Sequence, residues 1–257
     1  MKMEYGSEIN EAWKKTCKIL LGEDIGDIKE YKTFLHNIGC DPLIKVPSQI
    51  SNKEVHIATN KYFCKKAKFI SNDEREMYDG KMRDLKIDLN NLKDIDSLVN
   101  EVSEHFYYAG DIILGNSKNI IRSNKITNCF NVYDSVLLNE CKYIAFCTNT
   151  RDSEYVFGHI GSSELKFCIG GFDNLRIARS FETIASIHSS DCLYSANIIG
   201  CNDCVFSFNQ RNKQHLVGNN SLSKEKYRQI KEKLVEDVKE IMKTKKEFPT
   251  LVDIMGD

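Results

Sequence analysis

One short pattern recurs between Asn116 and Gly218: a polar pair or triplet, followed by a brief alternation of apolar and small residues. Clusters of Asn, Asp and Ser are turn signals, and each following run has the length of a short strand. A strand and a turn that repeat many times are typical of a solenoid. The sequence therefore predicts a mainly β protein built on a parallel β-helix. The pattern occurs at Thr127-Asn128-Cys129, Asp134-Ser135-Val136, Asp152-Ser153-Glu154-Tyr155, Ser162-Ser163-Glu164-Leu165, Phe172-Asp173-Asn174-Leu175, Ser190-Asp191-Cys192 and Asn202-Asp203-Cys204.

The residue that follows each polar group marks a rung of this predicted solenoid. Successive marks lie seven to twelve residues apart, as Cys129 and Val136 or Cys192 and Cys204 do, so two steps would complete one coil. Because side chains alternate along a strand, the residue two positions further on should also face inward. The residues between should face solvent, as predicted for Lys166, Arg176 and Ser207. The second inward set is Leu138, Phe157, Phe167, Ile177, Tyr194 and Phe206.

Residues 1–110 differ from the repeats and are predicted to form a mixed α/β N-terminal cap, seated against the start of a solenoid over 111–218. The spacing of Ile9, Trp13 and Cys17 predicts a helix that ends at Gly22. The other predicted elements are a short helix over 27–36, an isolated strand over 51–59, an irregular polar connection over 72–84 and a helix over 95–106.

Residues 219–257 are predicted to close the other end of the solenoid. Apolar residues between Ser223 and Lys245 follow helical spacing, with charged residues on the opposite face. This amphipathic helix should lie over the terminal coil, because the end of a solenoid otherwise exposes unpaired strand edges. An apolar tail from Phe248 to Ile254 could dock on the same surface. The apolar stripe of the helix is Tyr227, Ile230, Leu234, Val238 and Ile241.

Composition and charge limit the class of protein. A hydrophobic content of 41% is enough to bury a substantial core. The 36 Lys plus Arg nearly balance the 37 Asp plus Glu, so no global field attracts nucleic acid or an anionic membrane. The first ten residues lack the apolar run of a secretion signal, and no stretch has the length of a membrane span. The sequence therefore predicts a cytoplasmic protein with no membrane partner.

The chain has ten cysteines, and disulfides are disfavoured in a reducing compartment. Cys129, Cys192 and Cys204 take the position that Leu165 takes elsewhere, as expected of a small buried hydrophobic residue. Cys201 and Cys204 form a Cys-x-x-Cys pair, but a structural zinc site needs a second pair or suitably placed histidines. Cys204 should face the core and Cys201 should lie at the preceding turn. The sequence favours a buried cysteine ladder and predicts no cofactor.

Several segments in the second half also carry a resemblance: Lys142-Tyr-Ile-Ala-Phe146, Ser153-Glu-Tyr-Val-Phe-Gly158, Ser189-Ser-Asp-Cys-Leu-Tyr194, Cys204-Val-Phe-Ser-Phe-Asn-Gln-Arg-Asn-Lys213, Gly218-Asn-Asn and Lys224-Glu-Lys-Tyr227. Together they resemble a family of uncharacterised archaeal and bacterial β-solenoid proteins. That family has Asx-Cys-x-aromatic rungs, a closing Asn-Lys element and a Ser-Lys-Glu-x-Tyr helix. The zinc-ribbon pair that many bacterial relatives carry before the rungs is missing here. The resemblance implies the fold and supplies no catalytic residues.

Four acidic residues are candidates for chemistry: Asp152, Glu154, Glu164 and Asp173. Paired carboxylates on adjacent coils could act as acid and base in carbohydrate chemistry if they are held several ångströms apart. The same residues stand where a turn favours a side chain that bonds its own backbone. The sequence therefore allows a hydrolase or lyase but favours a structural role for these residues.

Basic residues interleaved with Tyr155 and Phe172 could form a strip that binds RNA or another polyanion. Acidic neighbours dilute this strip, so a solvated face of mixed charge is the favoured interpretation. The basic residues concerned are Arg151, Lys166, Arg176, Arg179, Arg211 and Lys213.

These patterns favour a non-catalytic cytoplasmic scaffold or adaptor that presents a rigid solenoid face to a protein partner, because no nucleophile, base and anion donors converge. The first alternative is an intracellular carbohydrate-active or nucleotide-sugar enzyme that uses carboxylates on that face. The second is an RNA-associated factor. A homodimer through exposed end coils is also compatible with the pattern.

Overall fold

In a computed structural model of the protein, the structure describes residues 6–39, 43–58, 67–88, 90, 92–103 and 105–255. Its centre is a parallel β-solenoid of about nine turns, flanked by N-terminal helices and a C-terminal helix. The predicted fold class is confirmed. None of the helices in these ranges is both long enough and apolar enough to cross a membrane.

The chain opens with two helices that the sequence predicts. Helix α1 (Ser7–Leu21) ends at Gly22, whose left-handed φ of 79° suits a residue without a Cβ. A 3-10 turn (Ile28–Tyr31) leads directly into helix α2 (Lys32–Gly39). The apolar faces of both helices are buried, including Trp13 and Leu35.

The described residues between 43 and 110 form two small sheets and two helices. Strand β1 (Leu43–Pro47) pairs antiparallel with β2 (Glu54–Ala58), and β3 (Lys68–Ser71) pairs parallel with β4 (Tyr107–Gly110). Between β3 and β4 lie a 3-10 turn (Asn72–Glu74), helix α3 (Arg75–Arg83) and helix α4 (Ile95–Ser103). The helix predicted over 95–106 is present as α4, which ends at Ser103.

Two predictions for this part are wrong. The strand expected over 51–59 is observed over Glu54–Ala58 and is not isolated, because β1 pairs with all of β2; residue 59 lies outside the described residues. The polar run 72–84 is helical rather than irregular. Ser71 and Glu74 form a capping box there, in which the Ser71 N–H donates to Glu74 Oε2 at 2.8 Å. A capping box satisfies the free N–H groups at a helix start and so favours helix despite the polar composition.

Thirteen strands form the solenoid sheet, from Ile113 to Ser221. All neighbours pair in parallel except the last two, where β17 turns back on β16 and covers the final edge. The strands are β5 (Ile113–Leu114), β6 (Lys118–Ile121), β7 (Asn124–Thr127), β8 (Phe130–Tyr133), β9 (Val136–Asn139), β10 (Lys142–Arg151), β11 (Glu154–Ser163), β12 (Lys166–Phe172), β13 (Leu175–Ile184), β14 (Ile187–Ala196), β15 (Asn202–Val205), β16 (Gln214–Val217) and β17 (Asn220–Ser221).

One coil of the solenoid contains 12 residues. Lys142 pairs with Glu154, Glu154 with Lys166, and Lys166 with Ala178. The same offset relates hydrogen-bonded side chains on adjacent coils, such as Asn119 and Asn131. The expectation that two irregular steps complete a coil is therefore wrong: a single 12-residue step does.

The backbone bends at every third residue. From Asn119 to Gly218, each third position has a positive φ, and most of these positions are not glycine. Four such bends divide each coil into four sides of three residues. A left-handed conformation costs a residue with a Cβ roughly 1 kcal/mol or more. The inter-coil hydrogen bonds and the packed interior offset this strain.

Because the bends recur every three residues, the side chains that point into the solenoid also recur every three. Cys141, Ile144, Cys147 and Thr150 occupy the four interior positions of one coil, and all are buried. The expected inward period of two is wrong. Ser207, expected to face solvent, is an interior residue with no exposed surface.

A second apolar core lies outside the solenoid, under the helices. Outward-pointing Phe157 and Phe181 pack there with Trp13 and Leu35. Phe157, Tyr194 and Phe206 were expected inside the coils, but they belong to this outer core. We call the side of the solenoid that carries these residues the covered side. Its outward residues are Ala145, Phe157, Ile169, Phe181, Leu193 and Val205.

Helices line the covered side along its length. Helix α1 contacts strands β8 and β10 to β13. Helix α5 (Lys224–Lys245) begins at the last coil, where the Tyr227 ring lies 5.5 Å from the His215 ring. It then reaches the C-terminal end of α1, where Lys239 Nζ lies 3.3 Å from Oε2 of Glu23, two residues after the helix. The predicted amphipathic helix is confirmed, with Ser223 as its N-cap. A short helix α6 (Leu251–Met255) follows it.

Candidate functional site

Three of the four candidate carboxylates meet on one exposed groove of the solenoid. Asp152, Glu154 and Glu164 line this groove, which has a volume of about 690 Å³, together with Glu140. Asp173 lies on a different corner of the coil, in a second shallow groove with Asn149 and Gly161. The structure therefore brings together three of the predicted residues and leaves the fourth apart.

The groove has an acidic corner and a mixed-charge side. Glu140, Asp152 and Glu164 occupy the same bend in three successive coils, and we call them the acidic row. Beside them, Glu154 stands between two lysines: its carboxylate lies 3.6 Å from Lys142 Nζ and 4.0 Å from Lys166 Nζ. This side of the groove therefore pairs its charges within the chain.

The predicted basic residues do not form one strip. Lys166 lines the groove, and Arg176 contacts Glu164 at its end, whereas Arg151 lies on the opposite face of the same corner. Tyr155 and Phe172, expected between them, occupy different sides of the coil: Tyr155 stacks with Phe167, and Phe172 lies beside Ile184. The remaining basic candidates, Arg179, Arg211 and Lys213, are exposed, and Arg179 lies more than two coils before the other two.

Several of these cations also have partners within the chain. Arg176 Nε donates to Glu164 Oε2 at 2.8 Å. Arg179 forms a two-pronged contact with Asp191, with Nε–Oδ1 2.7 Å and Nη2–Oδ2 2.5 Å. An arginine paired in this way is less available to a phosphate, because both compete for the same N–H groups.

The cysteines of the repeat region all lie at interior positions. Cys201 and Cys204 are both fully buried in one cluster with Cys192, so the expectation that Cys201 points the opposite way is wrong. Residues three apart share a direction here because the bends recur every three residues. Among the described residues, no group of three or more His, Cys, Asp or Glu side chains is placed to hold a metal ion.

One interior position holds a histidine. His159 Nδ1 lies 2.8 Å from Ser162 Oγ, and His159 Nε2 lies 3.3 Å from Asn174 Nδ2. Ser162 Oγ donates to the Ile160 carbonyl, which leaves it to accept from Nδ1–H. Burial lowers the pKa of His159 from 6.5 to about 3. The imidazole is therefore neutral and fixed in one tautomer.

A buried carboxyl group is the feature that sequence reasoning missed. Glu182 occupies a bend on the covered side, is only 2% exposed, and lines a cavity of about 320 Å³. Burial raises the pKa of Glu182 to about 7. Its one signal in the sequence is a lone carboxylate between the apolar residues Phe181 and Ile184. The bend that makes it face the helices is not visible there.

Comparison of the chain with models of known protein families finds no match, and comparison with curated proteins finds none either.

Proposed function

We propose that the protein is a non-catalytic scaffold whose exposed solenoid groove binds a basic, extended segment of a protein partner. The acidic row carries this proposal. Glu140, Asp152 and Glu164 are exposed and recur at one coil spacing, which is roughly 4.8 Å in a β-sheet. Like charges on neighbouring strands repel each other. Arg176 already pairs with Glu164 at one end of the row, so a cationic segment lying along the row would chiefly relieve the repulsion between Glu140 and Asp152.

The architecture suits such a role because the groove cannot easily change shape. Each coil is hydrogen-bonded to the coils on both sides of it, and the covered side is held by helices. A rigid row with a fixed spacing loses little conformational entropy when a partner binds. Glu154 is paired with lysines on both sides, so it adds little net charge to the groove. Its pairs could instead fix the position of a bound segment along the solenoid.

Copurification from the native cell with charge-neutralised variants tests the proposal. We expect a stoichiometric protein partner with wild type, and its loss from a Glu140→Gln, Asp152→Asn, Glu164→Gln triple variant. A control variant, Glu225→Gln, Asp237→Asn, Glu240→Gln, removes the same charge from exposed positions of α5 and should keep the partner.

Other outcomes would contradict the scaffold proposal. Bound RNA in place of a protein would indicate the RNA-associated alternative. Turnover of a glycan or nucleotide sugar that is lost in Asp152→Asn would indicate an enzyme. Partner binding that is equally strong in both triple variants would exclude the acidic row as the contact surface.

A further inference from the structure

A cavity of about 320 Å³ lies between three parts of the chain, separate from the exposed groove. The end of α2 supplies Phe34 and Ile38, the solenoid supplies Phe172 and Ile184, and the segment after α5 supplies Phe248. This volume is at the lower end of the range for small-molecule sites, which are mostly apolar with a few placed polar groups.

Glu182 is the placed polar group. Its Oε2 accepts a hydrogen bond from the Leu251 N–H at 3.2 Å, while its Oε1 is buried and has no hydrogen-bond partner. Gly170, at the same bend one coil earlier, leaves room for the carboxyl: a Cβ there would lie 2.1 Å from Oε1. A buried oxygen without a partner is costly, so its retention points to a partner that binds it.

A second unsatisfied group lies next to the first. Tyr194 occupies the same bend as Glu182 in the next coil, and its hydroxyl is buried without a hydrogen-bond partner. Burial and the nearby Glu182 raise the pKa of Tyr194 well above its ordinary value. The hydroxyl is therefore neutral and able both to donate and to accept. Two buried polar groups without hydrogen-bond partners therefore stand one coil apart, and Glu182 is the one that lines the cavity.

The charged residues around the cavity all have the same sign. Glu182, Glu247 and Asp253 line it, and the described lining residues include no Lys or Arg. Asp253 already has hydrogen-bond partners, because its Oδ2 accepts from the N–H and the hydroxyl of Thr250. Glu247 is exposed at the rim. Three phenyl rings, of Phe34, Phe172 and Phe248, line the same cavity, and aromatic faces attract cations.

We propose that this cavity binds a small organic cation, an ammonium group on an apolar body, with the ammonium contacting Glu182 Oε1 and the body lying among the phenyl rings. Ammonium N–H groups supply the donors that Oε1 lacks. An anionic ligand would face three carboxylates. A neutral apolar ligand would leave Oε1 unsatisfied.

Titration calorimetry at pH 8, where Glu182 is ionised, tests the proposal with three probes of one shape: 2-phenylethylammonium, 2-phenylethanol and phenylacetate. We expect the ammonium to bind at least tenfold more tightly than the alcohol, and phenylacetate to bind not at all. Glu182→Gln should lower affinity for the ammonium at least tenfold and leave the alcohol unaffected. Glu164→Gln, on the exposed groove, should change neither. Equal affinity for ammonium and alcohol would overturn the proposal.

A measurement on the wild-type protein covers the case in which Glu182→Gln fails to fold. In carbon-13 NMR of labelled glutamate, one carboxyl should titrate near pH 7. Saturating 2-phenylethylammonium should lower that midpoint by at least one unit, because the bound cation favours the carboxylate. A midpoint that is the same with and without the ammonium would refute the contact.

Discussion

Glu182 Oε2 accepts a hydrogen bond from the backbone N–H of Leu251, 69 residues further along the chain. This contact holds the C-terminal segment against the solenoid, where Leu251 is fully buried and the Phe248 ring lies 5.1 Å from the Tyr194 ring. One carboxyl group therefore lines the cavity and also anchors the segment that closes it.

Glu182 should make the protein less stable as pH rises. Its pKa is raised from 4.5 to about 7, so the folded state holds the proton more tightly than the unfolded state does. The contribution to the free energy of unfolding is full below pH 4.5 and is lost as pH rises to about 7. The Glu182→Gln variant lacks this ionisable group. Between pH 5 and 8 its free energy of unfolding should therefore decrease by about 3 kcal/mol less than the free energy of unfolding of wild type does.

Urea unfolding at stepped pH measures this difference, with Glu164→Gln as the control that removes an exposed carboxylate. Parallel stability curves for wild type and Glu182→Gln would contradict the prediction.

His159 should make the protein sensitive to acid, with the opposite sign. Its pKa is lowered from 6.5 to about 3, so the unfolded state binds a proton that the folded state refuses. Stability is fully present above pH 6.5 and is lost as pH falls towards 3, by at most about 5 kcal/mol. His159→Asn should flatten this slope in a urea titration, even if the variant is less stable at neutral pH. His188→Asn removes an exposed imidazole and should leave the slope unchanged.

The three-residue period predicts opposite outcomes for two adjacent serines. Ser189 lies inside the solenoid, where its Oγ accepts from the Cys201 N–H, and Ser190 points outward. Ser189→Lys buries an unpaired ammonium and should cost more than about 3 kcal/mol or prevent folding. Ser190→Lys should change the free energy of unfolding by no more than about 1 kcal/mol. Similar losses in both variants, measured by urea unfolding, would argue against the interior positions described above.

Two helical glycines test how tightly α2 packs on the solenoid. A Cβ at Gly39 would lie 2.2 Å from the Gly158 backbone, whereas a Cβ at Gly80 in α3 would meet no atom within 4 Å. Gly39→Ala should therefore cost about 1–3 kcal/mol by overpacking. Gly80→Ala should stabilise by about 0.5–1 kcal/mol, because alanine favours helix. Thermal unfolding of both variants checks the contrast, and a stabilising Gly39→Ala would show that α2 sits further from the coils.

The sequence predicts the solenoid but not its repeat, for a reason visible at the bends. Asn128, Asp152 and Asp203 are bend residues of a type that commonly signals turns, and each precedes an interior residue. Tyr143, Phe146 and Arg179 occupy equivalent bends, yet nothing in these residue types indicates a positive φ. A reader of the sequence sees only part of the bends and infers irregular steps instead of a regular 12-residue coil.

The candidate sites also differ in how far the sequence predicts them. The exposed carboxylates Asp152, Glu154 and Glu164 are identifiable from sequence, because polar residues beside turns are expected at the surface. The Glu182 cavity is not identifiable from sequence, because its walls come mainly from residues near 34–38, 171–184 and 247–253. No local pattern relates these three segments.

The sequence by itself determined the parallel β-helix, the burial of its cysteines and the positions of α1, α2 and α5, since turn residues and apolar periodicity act over a few neighbouring residues. Tertiary structure alone decided the coil length, the side that the helices cover and the burial of Glu182. These depend on how distant coils stack and which segments pack on them, and such contacts gain their free energy only after the whole chain has folded.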